Sequence, residues 1–237
     1  MDNIKDNAES IDMETGPVQP VHVDLLVSLC SPYYQDEYVT IYHGDCRAIV
    51  PGLKADAIIT DPPYGINWNC DYRSWTKPSA KAQGGKSNRT YPQIYGDTEP
   101  FDPSFLMGYK RVILWGAPCF MNKLGDGALL VWYKRKSAFL AQAEAAWMNS
   151  GTGVFVFEEP VEKMQAERVH PTQKPLELMK WCIEKAGNPD VIIDPYAGSG
   201  TTGRAAKDMG KTCILIEREE LYCEIAARRM SQEVLNY

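Results

Sequence analysis

The apolar run Ala57-Ile58-Ile59-Thr60 is followed at once by Asp61-Pro62-Pro63-Tyr64-Gly65. A brief run dominated by β-branched residues predicts a buried strand. The two prolines end that strand, because neither can donate a hydrogen bond to a neighbouring strand and each fixes its own φ. An acid, two unpaired carbonyls and an aromatic ring are therefore expected on a stiff turn at a strand's carboxyl end, where ligands bind in open α/β sheets.

This turn has the groups needed to hold a planar exocyclic amine. The carboxylate of Asp61 and the carbonyl of Pro62 can each accept one amino hydrogen. The ring of Tyr64 offers a face on which a heterocycle can stack. A proline-rich surface turn explains the same five residues, and the motif by itself leaves both interpretations open.

A second motif has a related layout. The strand predicted at Val191-Ile192-Ile193 leads into Asp194-Pro195-Tyr196-Ala197-Gly198-Ser199-Gly200-Thr201-Thr202, which opens a helix predicted over Arg204 to Met209. Glycines at a strand-to-helix turn let a ligand approach the backbone, and the helix N-terminus supplies free N–H groups. Glu217 ends the next predicted strand, Thr212 to Ile216, where an acid is well placed for ribose hydroxyls.

Together, DPPYG, HPTQKP (residues 170–175) and DPYAGSGTT resemble the motifs of DNA amino-methyltransferases. The resemblance runs from about Pro32 to Met230, and its motif order is that of the family's β group. It implies an α/β fold, a single Rossmann-like methyltransferase domain with a circularly permuted motif order. The expected sheet has seven strands, is mostly parallel and twisted, has helices on both faces and includes one reversed strand toward an edge.

The resemblance also implies the site. Catalytic roles fall to Asp61, Pro62, Pro63 and Tyr64. Lys174 would pair with the cofactor's carboxylate and Thr172 would donate a hydroxyl, although a helix start with proline and a surface lysine explains this motif equally well. The cofactor-binding set is Asp45, Cys46, Asp61, His170, Thr172, Gln173, Lys174, Asp194, Tyr196, Ala197, Gly198, Ser199, Gly200, Thr201, Glu217 and Arg218.

For Asp45, two roles stay open. In the family a Gly-Asp pair at this position lies near the cofactor's adenine, so Asp45 could accept from the adenine amino group. The same pair is also a suitable cap for the short helix that follows.

The activity implied by the resemblance is methyl transfer from S-adenosylmethionine to N6 of a flipped-out adenine in double-stranded DNA, leaving S-adenosylhomocysteine. Asp as the first residue of the motif favours adenine, whereas Ser more often accompanies cytosine N4. The alternatives are a cytosine-N4 DNA methyltransferase, a catalytically silent DNA-binding protein, or transfer to RNA or a protein amide. No metal is expected, dimers are common in this group, and a restriction-modification role fits the family.

The chain divides by composition. Residues 1–31 are predicted to be an acidic, disordered extension, and residues 32–237 the methyltransferase domain. A long segment, 66–100, mixes basic and aromatic residues and is predicted to contact DNA phosphates and bases. Residues 133–168 leave room for only a reduced target-recognition region. The predicted DNA-binding residues are Arg73, Lys77, Lys81, Lys86 and Arg89.

Charge and cysteine content agree with this interpretation. The formal net charge is −6, but residues 1–45 hold nine acids and one lysine, so residues 46–237 carry +2. The acidity therefore does not argue against nucleic acid. Seven scattered cysteines and three dispersed histidines make a disulfide framework or a zinc site improbable. Without a signal-peptide pattern or an apolar run near the roughly 20 residues of a membrane helix, the expected location is cytoplasmic.

Further elements follow from the hydrophobic patterns. The remaining strands are predicted at Val39 to Tyr42, Arg111 to Trp115, Ala128 to Trp132 and Val154 to Phe157. Helices are predicted at 116–125, 137–147, 176–186 and 219–232. The helix predicted at 137–147 depends on its richness in alanine.

Overall fold

The computed structural model describes residues 31–68, 70, 93–135, 141–160 and 173–232. Within these ranges, nine strands form one sheet, and four α-helices and several 3-10 turns connect them. The strands are β1 (Tyr34–Gln35), β2 (Val39–His43), β3 (Ala57–Thr60), β4 (Arg111–Trp115), β5 (Ala128–Tyr133), β6 (Ala143–Met148), β7 (Val154–Glu158), β8 (Val191–Asp194) and β9 (Thr212–Glu217). The helices are α1 (Cys46–Ile49), α2 (Leu176–Lys185), α3 (Thr201–Asp208) and α4 (Glu220–Met230).

The strand order is β1-β2-β9-β8-β3-β4-β6-β5-β7. Strands β2, β9, β8, β3 and β4 run parallel to one another, and β6 runs antiparallel to both β4 and β5. The mostly parallel α/β sheet predicted from the sequence is confirmed. Because β2, β9, β8 and β3 are adjacent and parallel, the residues that follow them meet at the same edge of the sheet.

Side chains alternate between two layers of core along each strand, as the twofold repeat of a strand requires. In β3, Ile59 packs into the layer beneath α2, α3 and α4, and Ile58 packs into the opposite layer. The second layer is closed by α1, by 3-10 turns and by Phe101 and Phe120. Both faces are thus covered, but the three long helices lie on one of them.

The seven strands predicted from the sequence are all present, and two more, β1 and β6, bring the described sheet to nine. Two of the described strands are reversed: β1 at one edge, and β6, for which the sequence predicts a helix. That helix prediction is wrong over residues 143–147, because pairing with β4 on one side and β5 on the other outweighs the helix propensity of alanine. The helix predicted at 116–125 is also wrong, since Ala117–Cys119 and Met121–Lys123 form separate 3-10 turns.

None of the helices in the described ranges combines the length and the apolar character that spanning a bilayer requires.

Candidate active site

A cavity of about 840 Å³ opens at the carboxyl ends of the parallel strands. The turn after β3 and the turn after β8 both line it, as do the residues that follow β2 and β9. The lining includes most of the described residues predicted to form the site: Asp45, Cys46, Asp61, Pro62, Pro63, Tyr64, Gln173, Lys174, Asp194, Tyr196, Ala197, Gly198, Ser199, Thr201, Glu217 and Arg218. The fold therefore brings together segments that are up to 173 positions apart in the sequence.

Asp61 lies at the centre of this arrangement. One of its carboxylate oxygens, Oδ1, accepts a hydrogen bond of 2.5 Å from the hydroxyl of Tyr64, and Oδ2 lies 2.5 Å from Nζ of Lys174. Only 14% of its side chain is exposed. Burial raises the pKa of the Asp61 carboxyl, and the neighbouring ammonium of Lys174 opposes that shift.

Lys174 belongs to a partly buried set of alternating charges that the sequence did not predict. Its ammonium lies 3.1 Å from Oε2 of Glu144 on β6, and Glu144 also pairs with Lys134, which follows β5. Burial alone would raise the pKa of Glu144, but the ammonium groups of Lys174 and Lys134 hold it at about 2. The sequence did not predict this ion pair, because residues 137–147 were predicted to form a helix. Lys134 lies beside Glu144 because β5 and β6 pair antiparallel.

The ring of Tyr64 packs directly on the backbone of Gly116, just after β4. A Cβ atom at position 116 would lie 2.0 Å from Cε1 of that ring. Gly116 also has φ of 78°, a left-handed conformation that side chains disfavour. Glycine at position 116 is thus needed twice, for its backbone conformation and for the ring that packs above it.

The turn after β8 is tied down by the carboxylate of Asp194. Its Oδ1 accepts from the hydroxyl of Thr60 at 2.6 Å and from the N–H of Tyr196 at 3.1 Å, and its Oδ2 accepts from the hydroxyl of Thr202 at 2.5 Å. Asp194 is 3% exposed, and this burial raises the pKa of its carboxyl to about 6. The residue joins β8, the end of β3 and the start of α3.

Glu217, at the end of β9, holds the same turn from the other side. Its Oε2 accepts from the N–H of Gly198 at 2.7 Å, and its Oε1 accepts from the N–H groups of Arg218 and Glu219 at 2.8 Å. Burial raises the pKa of the Glu217 carboxyl. With a single donor on Oε2, this oxygen keeps the capacity to accept from a ligand hydroxyl.

Asp45 performs the capping role that the sequence left open beside a ligand role. Its Oδ1 accepts from the N–H of Arg47 at the start of α1, and its Oδ2 lies 3.4 Å from the guanidinium of Arg218. That guanidinium stacks 3.7 Å from the ring centre of Tyr95. Asp45, Arg218 and Tyr95 all line the cavity, so the cap does not exclude contact with a ligand.

Ser199 and Thr201 direct their hydroxyls toward α4. The guanidinium of Arg229 donates to the carbonyl of Ser199 at 2.6 Å, to its hydroxyl at 3.0 Å and to the hydroxyl of Thr201 at 3.3 Å. Gly200 caps α3 with φ of 77°, and a Cβ atom there would lie 2.9 Å from Cβ of Ala226. The glycine-rich turn is therefore packed closely against α4.

Two groups of predicted site residues fall elsewhere. His170 and Thr172 lie outside the described residues, as do Arg73, Lys77, Lys81, Lys86 and Arg89.

The structure adds Asp97, which is 2% exposed and binds the backbone of the turn after Asp61. Among the described residues, no group of three or more His, Cys, Asp or Glu side chains is arranged to hold a metal ion.

Comparisons with known proteins find DNA methylases among the proteins similar to this chain. Residues 131–228 match the family model described as DNA methylase. The chain is 31% identical over 144 residues to the type II methyltransferase M.HinfI of Haemophilus influenzae, a match that covers 59% of this chain and 38% of that protein. It is 29% identical over 205 residues to the putative methylase YubD of Escherichia coli K12, covering 79% of this chain and 88% of that protein.

Over these segments the chain is similar to DNA methylases.

Solved structures share the fold of this chain. The M1.HpyAVI–SAM complex matches with a TM-score of 0.50 and 24% identity, covering 82% of this chain and 100% of that one. The PvuII DNA methyltransferase, which is cytosine-N4-specific, matches with a TM-score of 0.56 and 14% identity, covering 87% and 91%. At these identities the likeness is one of architecture, and the matched family segment contains β6 and both lysine partners of Glu144.

Proposed function

We propose that the protein transfers a methyl group from S-adenosylmethionine to the exocyclic amino group of a base in double-stranded DNA, with N6 of adenine as the favoured acceptor. The observation that carries the proposal is that the Asp61-Pro62-Pro63-Tyr64 turn and the glycine-rich turn after β8 line one cavity. This adjacency supports an acceptor site for an amine beside a site for a nucleoside-like cofactor.

The residues present fit this cofactor. A cavity of about 840 Å³ lies in the ordinary range for a site that binds a ligand of this size. Glu217 has a free acceptor position for a ribose hydroxyl, and Tyr196 and Ile216 supply apolar surface beside it. The ammonium of Lys174 would pair with the carboxylate of the cofactor. When bound, the cofactor supplies an activated methyl group on a sulfonium.

The chain's own residues would act by orienting the amine. An exocyclic amino nitrogen is a poor nucleophile while its lone pair is conjugated with the ring. Asp61 and the carbonyl of Pro62 would each accept one amino hydrogen, which favours a pyramidal nitrogen with its lone pair directed at the methyl group. Orientation of this kind is worth roughly 7–11 kcal/mol of the barrier.

Charge around Asp61 would support the same step. As the nitrogen attacks, positive charge develops on it, and a nearby carboxylate stabilises that charge in a site of low dielectric. Lys174 and Glu144 hold Asp61 within a balanced set of charges. The ring of Tyr64 would stack on the flipped base. This stacking offsets part of the cost of flipping the base out of the duplex, which is roughly a few kcal/mol.

Phosphate contacts are assigned to the segment that follows the turn. We infer that Arg73, Lys77, Lys81, Lys86 and Arg89 bind the DNA backbone, since this segment carries a local charge of +4 between Asn67 and Tyr95. Such contacts position the duplex without reading its sequence.

A methylation assay tests the proposal. The purified protein is incubated with labelled S-adenosylmethionine and unmethylated duplex DNA, and the digested nucleosides are identified by mass. We expect N6-methyladenine. N4-methylcytosine would preserve the reaction and change the base, whereas cofactor binding without any transfer to DNA would contradict the proposal and favour a DNA-binding role or another acceptor.

A further inference from the structure

Asp97 receives an unusual number of backbone hydrogen bonds from one short segment. Its Oδ1 accepts from the N–H groups of Tyr64 and Gly65 at 2.9 Å each and from Ile66 at 3.4 Å, and its Oδ2 accepts from the N–H of Trp68 at 2.6 Å. The residue is 2% exposed. A buried carboxylate with four N–H donors is a strong, charge-assisted anchor.

The turn needs such an anchor because its own sequence offers none. Pro62 and Pro63 have no N–H groups and hold only their own φ. From Tyr64 onward the chain has left β3 and no ladder receives its N–H groups, and buried backbone donors are costly without a partner. Asp97 replaces the missing strand as the common acceptor.

The same contact brings two segments close together. The carbonyl of Asp97 accepts from the N–H of Asn67 at 2.7 Å. Gly65, with φ of 74°, lies so near the chain after Asp97 that a Cβ atom there would be 2.5 Å from the carbonyl oxygen of Glu99. The turn is therefore held in place from residues about thirty positions later in the sequence.

The position of Tyr64 links this anchor to the chemistry. Its N–H is bound by Asp97, its ring packs on Gly116, and its hydroxyl donates to Asp61. A shift in the backbone of Tyr64 would move both the stacking face and the hydrogen bond on Asp61. Displacements of about 1 Å at such points can cost about 100-fold in rate.

We propose that Asp97 is a positioning residue for methyl transfer, which holds the backbone of Tyr64 and Gly65 so that Asp61 and the tyrosine ring face the target base together. This inference rests on the proposed function. The two carboxylate oxygens of Asp97 have separate roles. Oδ1 holds the turn, and Oδ2 holds Trp68, the start of the segment that leads to the predicted DNA-binding residues.

The separate roles of the two oxygens allow a graded test. In Asp97→Asn, the remaining carbonyl oxygen can serve the donors of Oδ1, but the amide nitrogen cannot accept from Trp68. Asp97→Ala removes both acceptors. Asp102→Asn is the matched control, because this exposed carboxylate accepts from the backbone N–H of its near neighbour Ser104 and is not among the residues that line the cavity.

Steady-state kinetics give the first readout. We expect Asp97→Ala to lower kcat about 100-fold, with the KM for S-adenosylmethionine changed by less than about twofold. Asp97→Asn should recover at least about tenfold of that loss, and Asp102→Asn should match the wild type. An Asp97→Ala protein with wild-type kcat, or one whose cofactor KM rises in step with the loss of kcat, would overturn the proposal.

Amide hydrogen exchange gives a second readout that needs no activity. In Asp97→Asn, the N–H of Trp68 should exchange faster while those of Tyr64 and Gly65 keep their protection. Unchanged exchange at Trp68 in this variant would overturn the role of the carboxylate, even if Asp97→Ala failed to fold. A wild-type protein that transfers no methyl group to DNA would instead overturn the proposed function, so the two failures are distinct.

Discussion

Two turns of this protein begin with Asp-Pro after a buried strand, and the strands β3 and β8 that precede them pair side by side. In the first, Asp61 faces the cavity and contacts two groups that can ionise, Lys174 and Tyr64. In the second, Asp194 faces hydroxyl groups and a backbone N–H. The same local sequence thus gives the acid ionisable partners in one turn and a structural joint in the other.

The difference lies in what each turn relies on. The glycine-rich turn uses its own acid as an acceptor, since Asp194 binds Tyr196 and Thr202 of the same stretch as well as Thr60 at the end of β3. The Asp61 turn depends on Asp97 and on Lys174, both distant in sequence. In the Asp61 turn a different acid, Asp97, holds the backbone, and the carboxylate of Asp61 is bound by the side chains of Tyr64 and Lys174.

Asp61→Asn should have the largest effect. The amide keeps the size of the carboxyl but loses the charge that stabilises the developing positive nitrogen, so we expect methyl transfer to fall about 1000-fold. Cofactor affinity should change little. Single-turnover transfer and equilibrium cofactor binding measure the two quantities. Asp190→Asn, at an exposed carboxylate that pairs with Lys211, is the control, and equal losses in both variants would contradict the role of Asp61.

Gly116→Ala should disturb the Asp61 turn and leave the glycine-rich turn unaffected. The new Cβ would meet the ring of Tyr64, and the left-handed backbone would cost about 1–2 kcal/mol. We expect kcat to fall about 100-fold because the ring must move, while cofactor binding at the glycine-rich turn is retained. Gly108→Ala, where nothing lies within 4 Å of the added Cβ, should behave as wild type. Unaltered kcat in Gly116→Ala would show that the ring position is not needed.

Glu144→Gln tests the charges around Asp61. The pKa of Glu144 is about 2 in the folded protein, below its ordinary value of 4.5, so its stabilising contribution is fully present above pH 4.5 and is lost as the pH falls toward 2. At neutral pH the variant should be less stable by up to about 3 kcal/mol. Urea unfolding from pH 3 to 7 should show this difference shrinking below pH 4.5. Glu224→Gln, an exposed partner of Arg228, should show no such trend.

In the same urea series, the stability difference between Asp194→Asn and the wild type should depend on pH in the opposite direction. Because the pKa of Asp194 is raised from 3.8 to about 6, the folded state holds a proton that the unfolded state releases, and wild-type stability falls as the pH rises from about 4 to about 6. The variant lacks this titration. It should therefore gain stability relative to the wild type by about 2–3 kcal/mol across that window. A difference that stays flat between pH 4 and 6 would contradict burial as the cause.

Much of the fold was predictable from local patterns. The runs at Ala57–Thr60, Val191–Asp194 and Thr212–Glu217 are buried strands, as their β-branched residues predict. The helices predicted at 176–186 and 219–232 also follow their apolar spacing, and the helix predicted over 204–209 spans Thr201–Asp208. The error at β6 has a clear cause, since alanine favours a helix only where no neighbouring strands compete for its backbone.

Less of the site was predictable. The Asp61 and Asp194 turns were identified from their own residues, and both line the cavity. Glu144 and Asp97 were missed, because each acts through partners that no local pattern places beside it. Glu144 meets Lys174 only once β6 is reversed within the sheet, and Asp97 meets Tyr64 across 33 positions of sequence.

The sequence by itself determined where strands end and which residues stand on the turns, since β-branched runs, prolines and glycines restrict the backbone one residue at a time. Only the tertiary structure decided what each acid faces. Asp61 and Asp194 have the same neighbour in the chain, Pro62 or Pro195, yet one contacts an ammonium and the other contacts hydroxyls. The environment that sets the pKa and the chemistry of a carboxyl group comes from segments that pack around it, and those segments are joined to it only by the fold.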